Sequence, residues 1–249
     1  MKKMHILFGI GALALATGLT ACGEDSSSSG CVEETSSSSV KDGSEYDAIT
    51  RTLTDLRDGQ VYKTVTIGTQ TWMAENLNYN YNSGTAKSFC YGDFYGRLYF
   101  WSAAMDSAAV FSTAGEGCGY GRECNTSGVV RGVCPEGWHL PSYEEWETLL
   151  TAVGGKDIAG KMLKSTSGWN YGGDGTDAYG FSALPAGGRY SRGVFRDAGS
   201  NAYFWSATQR EDNSYYAYFM YLYYYDGYAY LFDNYKDNGR SVRCLQNPN

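Results

Sequence analysis

Two histidines, His5 and His139, set the first bound on the chemistry open to this chain. His5 falls in a segment read below as a cleaved export signal, which leaves His139 alone in the mature protein. Metal sites built from several histidines are therefore excluded, and a Ser-His-Asp or Cys-His scheme has a single base to draw on. His139 stands between Trp138 and Leu140-Pro141, immediately before a capped helix. The sequence pairs it with no serine or cysteine through an acid, so it reads as a structural histidine hydrogen-bonded at a loop-to-helix junction. No catalytic residue is assigned, and an enzyme is the reading with least support.

Asp174, Asp177, Asp233, Asn234, Asp237 and Asn238 carry the kind of oxygens that a calcium ion takes. They lack the Glu-Pro-Asn and Trp-Asn-Asp triplets of calcium-binding lectins and read as solvated turn formers. No metal and no cofactor is expected.

The stretch from Tyr215 to Tyr235 is the richest in binding chemistry. Ten of its 21 residues are tyrosine: Tyr215, Tyr216, Tyr218, Tyr221, Tyr223, Tyr224, Tyr225, Tyr228, Tyr230 and Tyr235. Rings on both parities of a strand, as in Tyr223-Tyr224-Tyr225, cannot all be buried. Tyrosine gives a large contact area with two χ angles and a hydroxyl, and it can stack on sugar faces without a metal. These ten are the expected ligand-binding residues, for a polysaccharide or another surface macromolecule. The structural alternative is an envelope protein whose Tyr-rich sheet packs on partners in the same membrane.

Seven cysteines divide by position. Cys22 belongs to the signal. Of the other six, Cys118 and Cys124 bracket a short Gly-containing loop able to close on itself. A Cys134–Cys244 bridge would clip a loop of about 110 residues. Cys31 and Cys90 remain, either pinning the tether to the domain or staying thiols. Disulfides suit an exported chain, and the spacings fit zinc poorly because no Cys-x-x-Cys occurs.

The elements that position these residues begin with the signal, residues 1–21. Lys2 and Lys3 precede an apolar run from Ile6 to Leu19, about 14 residues long and too short for a retained transmembrane helix. Leu19-Thr20-Ala21-Cys22 resembles the lipobox of bacterial lipoproteins, which implies lipidation of Cys22 and a membrane anchor of more than one acyl chain. Gly23 in place of Asp favours the outer membrane by the same resemblance. Residues 22–45, with Ser26–Ser29 and Ser36–Ser39, read as a flexible tether. Loss of Lys2 and Lys3 moves the net charge from −7 to −9, which speaks against nucleic acid and anionic lipid surfaces as partners.

Residues 46–249 read as one domain. Val61–Ile67 alternates as a strand, Gly68-Thr69 turns, and Gln70–Leu77 returns. Ser142 and Glu145 form a capping box ahead of an apolar stripe through Trp146, Leu149, Leu150 and Val153, and Gly154-Gly155 ends that helix. Arg97–Val110 is read as a second helix and Lys156–Lys164 as a short third. Strands are expected at Phe181–Leu184, Tyr203–Thr208, Tyr215–Leu222, Tyr228–Phe232 and Ser241–Leu245. The expected class is α+β, with two main helices and a small twisted mixed sheet, clipped by disulfides.

Several motifs carry a family resemblance. They are Asp58-Gly59-Gln60-Val61-Tyr62, Thr71-Trp72-Met73-Ala74-Glu75-Asn76-Leu77, Tyr95-Gly96-Arg97-Leu98-Tyr99, Cys134-Pro135-Glu136-Gly137-Trp138-His139-Leu140-Pro141-Ser142, Gly180-Phe181-Ser182-Ala183-Leu184-Pro185-Ala186-Gly187-Gly188 and Gly239-Arg240-Ser241-Val242-Arg243-Cys244. Together they resemble the Fibrobacter succinogenes major paralogous domain family. The resemblance implies a C-type-lectin-like fold with chain ends in neighbouring strands, and a Cys134–Cys244 bridge suits it. That fold also implies relatives of two further kinds. Formylglycine-generating enzymes need two adjacent reduced thiols on the active face, for which Cys90 is the only plausible donor with an unassigned partner. Retroelement-diversified surface receptors carry a variable Tyr-rich region at this position. The leading expectation is an outer-membrane lipoprotein that displays one ligand-binding domain.

Overall fold

The computed structural model describes residues 42–92 and 94–248. The signal, Cys22, Cys31 and most of the expected tether lie outside these residues. Strand β1 (Ser44–Asp47) opens the domain within the last residues assigned to that tether.

The first sheet grows from sequence alternation. In β3 (Val61–Ile67), Tyr62 and Thr64 are buried on one face and Val65 and Ile67 on the other, while Val61, Lys63 and Thr66 are exposed. Gly68, at φ +61°, makes the tight turn to β4 (Gln70–Met73), and Ile67 pairs with Gln70. With β2 (Thr52–Asp55), β8 (Trp138–His139) and β14 (Leu245–Gln246), the strand order is β1-β2-β3-β4-β14-β8. A second sheet joins β5 (Asn82–Ser83), β6 (Ala86–Cys90) and β7 (Arg97–Tyr99). A third is the ribbon β9 (Gly188–Arg189) with β10 (Phe195–Arg196). The fourth, β11 (Asn201–Gln209), β12 (Tyr216–Tyr223) and β13 (Ala229–Tyr235), carries the tyrosines.

The C-terminal segment stitches these sheets together. Gly239 bridges Arg189, Arg240 bridges Tyr99, and Ser241 bridges Phe204. Val242 and Cys244 then accept amides from Leu77 and Met73, and Leu245 pairs with both Trp72 and His139. Cys134–Cys244 is a disulfide with Cα atoms 5.9 Å apart, and Cys118–Cys124 is a second. Cys90 is also disulfide-bonded.

The fourth sheet separates two cores. Ala202, Phe204, Met220, Leu222 and Ala229 pack beneath α2 (Tyr143–Ala152) and α3 (Lys156–Leu163), with Trp72, Trp146 and Phe181. Tyr203, Trp205, Ala217 and Phe219 face the other core, with Tyr99, Trp101 and Trp138. The capping box of α2 is present, Ser142 Oγ accepting from the Glu145 amide while the Glu145 carboxylate accepts from the Ser142 amide.

The α+β expectation does not hold. The domain is mostly β, with several antiparallel sheets and a half-barrel, and the expected C-type-lectin-like layout of two main helices falls with it. Every ladder between named strands is antiparallel; parallel pairing is confined to isolated bridges. The expected Arg97–Val110 helix is strand β7 followed by one turn, α1 (Trp101–Ala104). The turn stops because Asp106 takes φ +57° and its buried carboxylate accepts the amides of Val110, Phe111 and Ser112. Phe181–Leu184 is not a strand either. Its carbonyls at Phe181 and Ser182 accept from the Arg243 guanidinium instead of a ladder partner.

Candidate ligand-binding faces

Because β12 lies between two cores, each of its faces is buried at one end and open at the other. Tyr216 and Tyr218 share a face with buried Met220 and Leu222, whereas Tyr221 and Tyr223 share the opposite face with buried Ala217 and Phe219. The ten expected tyrosines therefore divide into two groups, and none of them is fully buried.

The first group is a cross-strand array. Register places Tyr221 between Tyr203 on β11 and Tyr230 on β13. Ring centroids are 5.1 Å apart for Tyr203–Tyr221, with planes within 17°, and 5.7 Å for Tyr221–Tyr230. The array runs on to Phe232 at 5.8 Å and Tyr228 at 6.0 Å from Tyr230, and to Tyr223 at 6.1 Å from Tyr221. Tyr225, at the turn, is 79 % exposed and Phe232 52 %, so both offer ring surface to a partner. Tyr224 packs between Tyr223 and Tyr171.

Two carboxylates and one lysine hold the array. Asp197 Oδ2 accepts from the hydroxyls of Tyr190 at 2.6 Å and Tyr203 at 3.2 Å, and Asp226 Oδ2 accepts from Tyr230 at 3.0 Å. Burial is the first cause that raises the Tyr203, Tyr221 and Tyr230 phenols above their ordinary value; Tyr190 comes next for Tyr203, Tyr223 for Tyr221 and Asp226 for Tyr230, so all three stay protonated at physiological pH. Lys164, itself buried, donates from Nζ to the carbonyls of Tyr223 and Asp226 and fixes the β12–β13 turn.

The second group gathers around the loop closed by Cys118–Cys124. Tyr120, at its tip, meets Tyr215 edge-on at 4.9 Å and Tyr235 at 6.2 Å, and Tyr235 lies 4.6 Å from Tyr216. Tyr218 leaves this group and packs edge-on against Tyr143 at the start of α2. The sequence reading assigned no binding or positioning role to Tyr120, Tyr203, Phe232, Asp197 or Lys164. A lone aromatic inside a Gly-rich disulfide loop was the available signal for Tyr120.

His139 is buried, with Nδ1 at 2.9 Å from Asn247 Oδ1 and Nε2 at 2.9 Å from Glu145 Oε1. Burial pushes the Glu145 carboxyl up, but the bonds from His139 and Ser142 outweigh it and the net shift is downward. Asp174 and Asp177 are turn formers as expected, accepting from the Trp169 amide and from both the amide and hydroxyl of Ser182, but Asp233 and Asn234 lie in strand β13, where Asp233 accepts from Arg210. Among the described residues no group of three or more His, Cys, Asp or Glu is gathered to hold a metal.

The motifs quoted above are held by structural bonds. Arg240 lies 3.7 Å from the Phe219 ring centroid and 4.5 Å from that of Tyr203. Asn76 donates to Tyr95 O and to Ser241 Oγ. This buried frame, built from motifs that occur in order along the chain, defines the class of domain. Residues 65–246 match the family described as Fibrobacter succinogenes major domain, and the chain belongs to that family. No curated protein matches it. No solved structure matches it either.

Proposed function

We propose that this protein is an exported, lipid-anchored outer-membrane protein whose domain binds polysaccharide through the ring array of Tyr203, Tyr221, Tyr230, Tyr228 and Phe232, without a metal. The continuous array carries the reading. Its inner rings are braced by one another and by Asp197 and Asp226, so few rotamers are lost on binding. Its outer rings, Tyr225, Tyr228 and Phe232, offer apolar surface to the C–H faces of pyranose units, while the Tyr203 and Tyr230 hydroxyls, already donating to Asp197 and Asp226, keep the rings in place. The excess of acidic over basic residues supports a neutral ligand over nucleic acid. The anchor rests on Leu19-Thr20-Ala21-Cys22 and the serine runs that follow. Among the described residues no helix is long and apolar enough to cross a membrane.

The test is retention of the mature chain on insoluble cellulose, xylan and chitin, with and without chelator. Retention on at least one, weakened tenfold or more by Tyr221→Ala with Tyr230→Ala and unchanged by chelator, is expected. Retention on none, or retention indifferent to those substitutions, overturns the proposal.

A further inference from the structure

A cavity of about 490 Å³ opens beside the disulfide loop, away from the ring array. That volume lies in the range, roughly 300–1,000 Å³, that encloses a small molecule. Phe100 and Tyr120 contribute its aromatic walls, and Tyr120 is braced from behind by Tyr215 and Tyr235.

Four hydroxyls line it: Ser83, Thr85, Ser102 and Ser107. None of the four makes a side-chain hydrogen bond with the described residues, so each retains a donor and an acceptor. Asp237 lines the same cavity, and its Oδ1 is buried without a hydrogen-bond partner. Lys236 closes the base, with Nζ at 3.1 Å from Arg122 O and 4.4 Å from the Trp101 ring centroid.

These groups favour one kind of ligand. A cation would meet Lys236 and Arg122, and an anion would meet Asp237. A neutral molecule with many hydroxyls and one apolar face satisfies the unpaired hydroxyls and carboxylate while covering the Tyr120 ring. We infer that this cavity is a second binding site, shaped for a mono- or disaccharide unit and separate from the ring array. Its ligand class rests on the glycan reading above, but its residues do not overlap with that array. A polysaccharide held along the array and a chain end held here would give one domain two grips, so that affinity for long chains exceeds either alone.

Calorimetric titration of the mature chain with cellobiose, xylobiose and chitobiose tests this directly. One of the three is expected to bind. Tyr120→Ala and Asp237→Asn should each weaken it at least tenfold, and Tyr230→Ala should leave it unchanged. Should Asp237→Asn fail to fold, Ser102→Ala with Ser107→Ala on the cavity wall replaces it, with the same expected loss. No binding by any disaccharide, or equal loss in Tyr230→Ala, overturns the second site. Retention on insoluble polysaccharide together with no disaccharide binding would discard this site and leave the array standing. The reverse pattern would discard the array alone.

Discussion

Arg243 Nε donates to Asn76 Oδ1 at 2.7 Å across 167 residues of sequence, and both groups are buried. Among the described residues no carboxylate forms an ion pair with this guanidinium, though Glu75 and Asp177 act on it from farther away. Its other nitrogens go to the carbonyls of Met73, Phe181 and Ser182, and the Phe181 and Phe204 rings lie over it at 4.6 and 5.4 Å. Burial lowers the guanidinium's hold on its proton, yet the carbonyl dipoles and ring faces suit a cation, and arginine stays charged. The contact ties the segment after β13 to the segment that follows β4.

Asn76→Ala leaves a buried charged donor short of an acceptor and also releases Tyr95 O. Loss of about 3 kcal/mol is expected in urea denaturation, with polysaccharide retention intact in the folded fraction. A change below about 0.5 kcal/mol would show that Arg243 finds its acceptor elsewhere.

Lys164→Met removes the ammonium that holds the Tyr223 and Asp226 carbonyls. Lys164 is a positioning residue, since it touches none of the array's ring faces. Retention on polysaccharide should fall several-fold while disaccharide titration is unmoved. Equal loss in both assays would mean that the substitution disturbs the whole domain.

The sequence displayed a good deal of this fold. The alternation of Val61–Ile67 was sufficient for β3, and the Ser142–Glu145 box for α2, because both signals are local. The Arg97–Val110 helix was misread because its apolar spacing is real but its fate depends on Asp106 turning left-handed to collect three amides. Likewise Phe181 and Ser182 give their carbonyls to an arginine some 60 residues away, which no local pattern reveals. The Tyr-rich stretch was legible as composition. Its division into two faces was not, because that depends on the sheet being buried from both sides. The mostly β architecture was obscured for a similar reason, since short strands joined through isolated bridges leave little periodicity to read.

Removing the Cys118–Cys124 bridge by a double Cys→Ser substitution frees the loop that carries Tyr120. A loop this short implies a loss of about 2 kcal/mol in the chain-entropy view. Thermal unfolding should shift accordingly and disaccharide binding should fall at least tenfold, with retention on polysaccharide persisting through the array. Unaltered disaccharide binding would show that Tyr120 holds its place without the bridge.

Burial lowers the pKa of Lys236 from an ordinary 10.5 to about 8, against a weaker upward pull from Glu123. The folded value lies below the unfolded one, so across that interval the unfolded chain binds more protons and stability rises with pH. The denaturation free energy of the parent chain should therefore gain on that of Lys236→Met between about pH 8 and about pH 10. A difference that stays flat over this range would place the ammonium in water.

Ser44 Oγ donates to Glu136 O at 2.6 Å, and the Asn247 amide donates to Gly137 O at 2.9 Å. The first and last strands thus leave the domain beside two consecutive residues. A domain whose first and last strands meet is topologically close to a ring, and where a ring is cut matters little to its contacts. Joining 248 to 42 through a few glycines and reopening the backbone at the exposed Gly128 would give a circular permutant with the same sheets. The domain is also suited to insertion into a surface loop of another protein, since entry and exit would share one doorway.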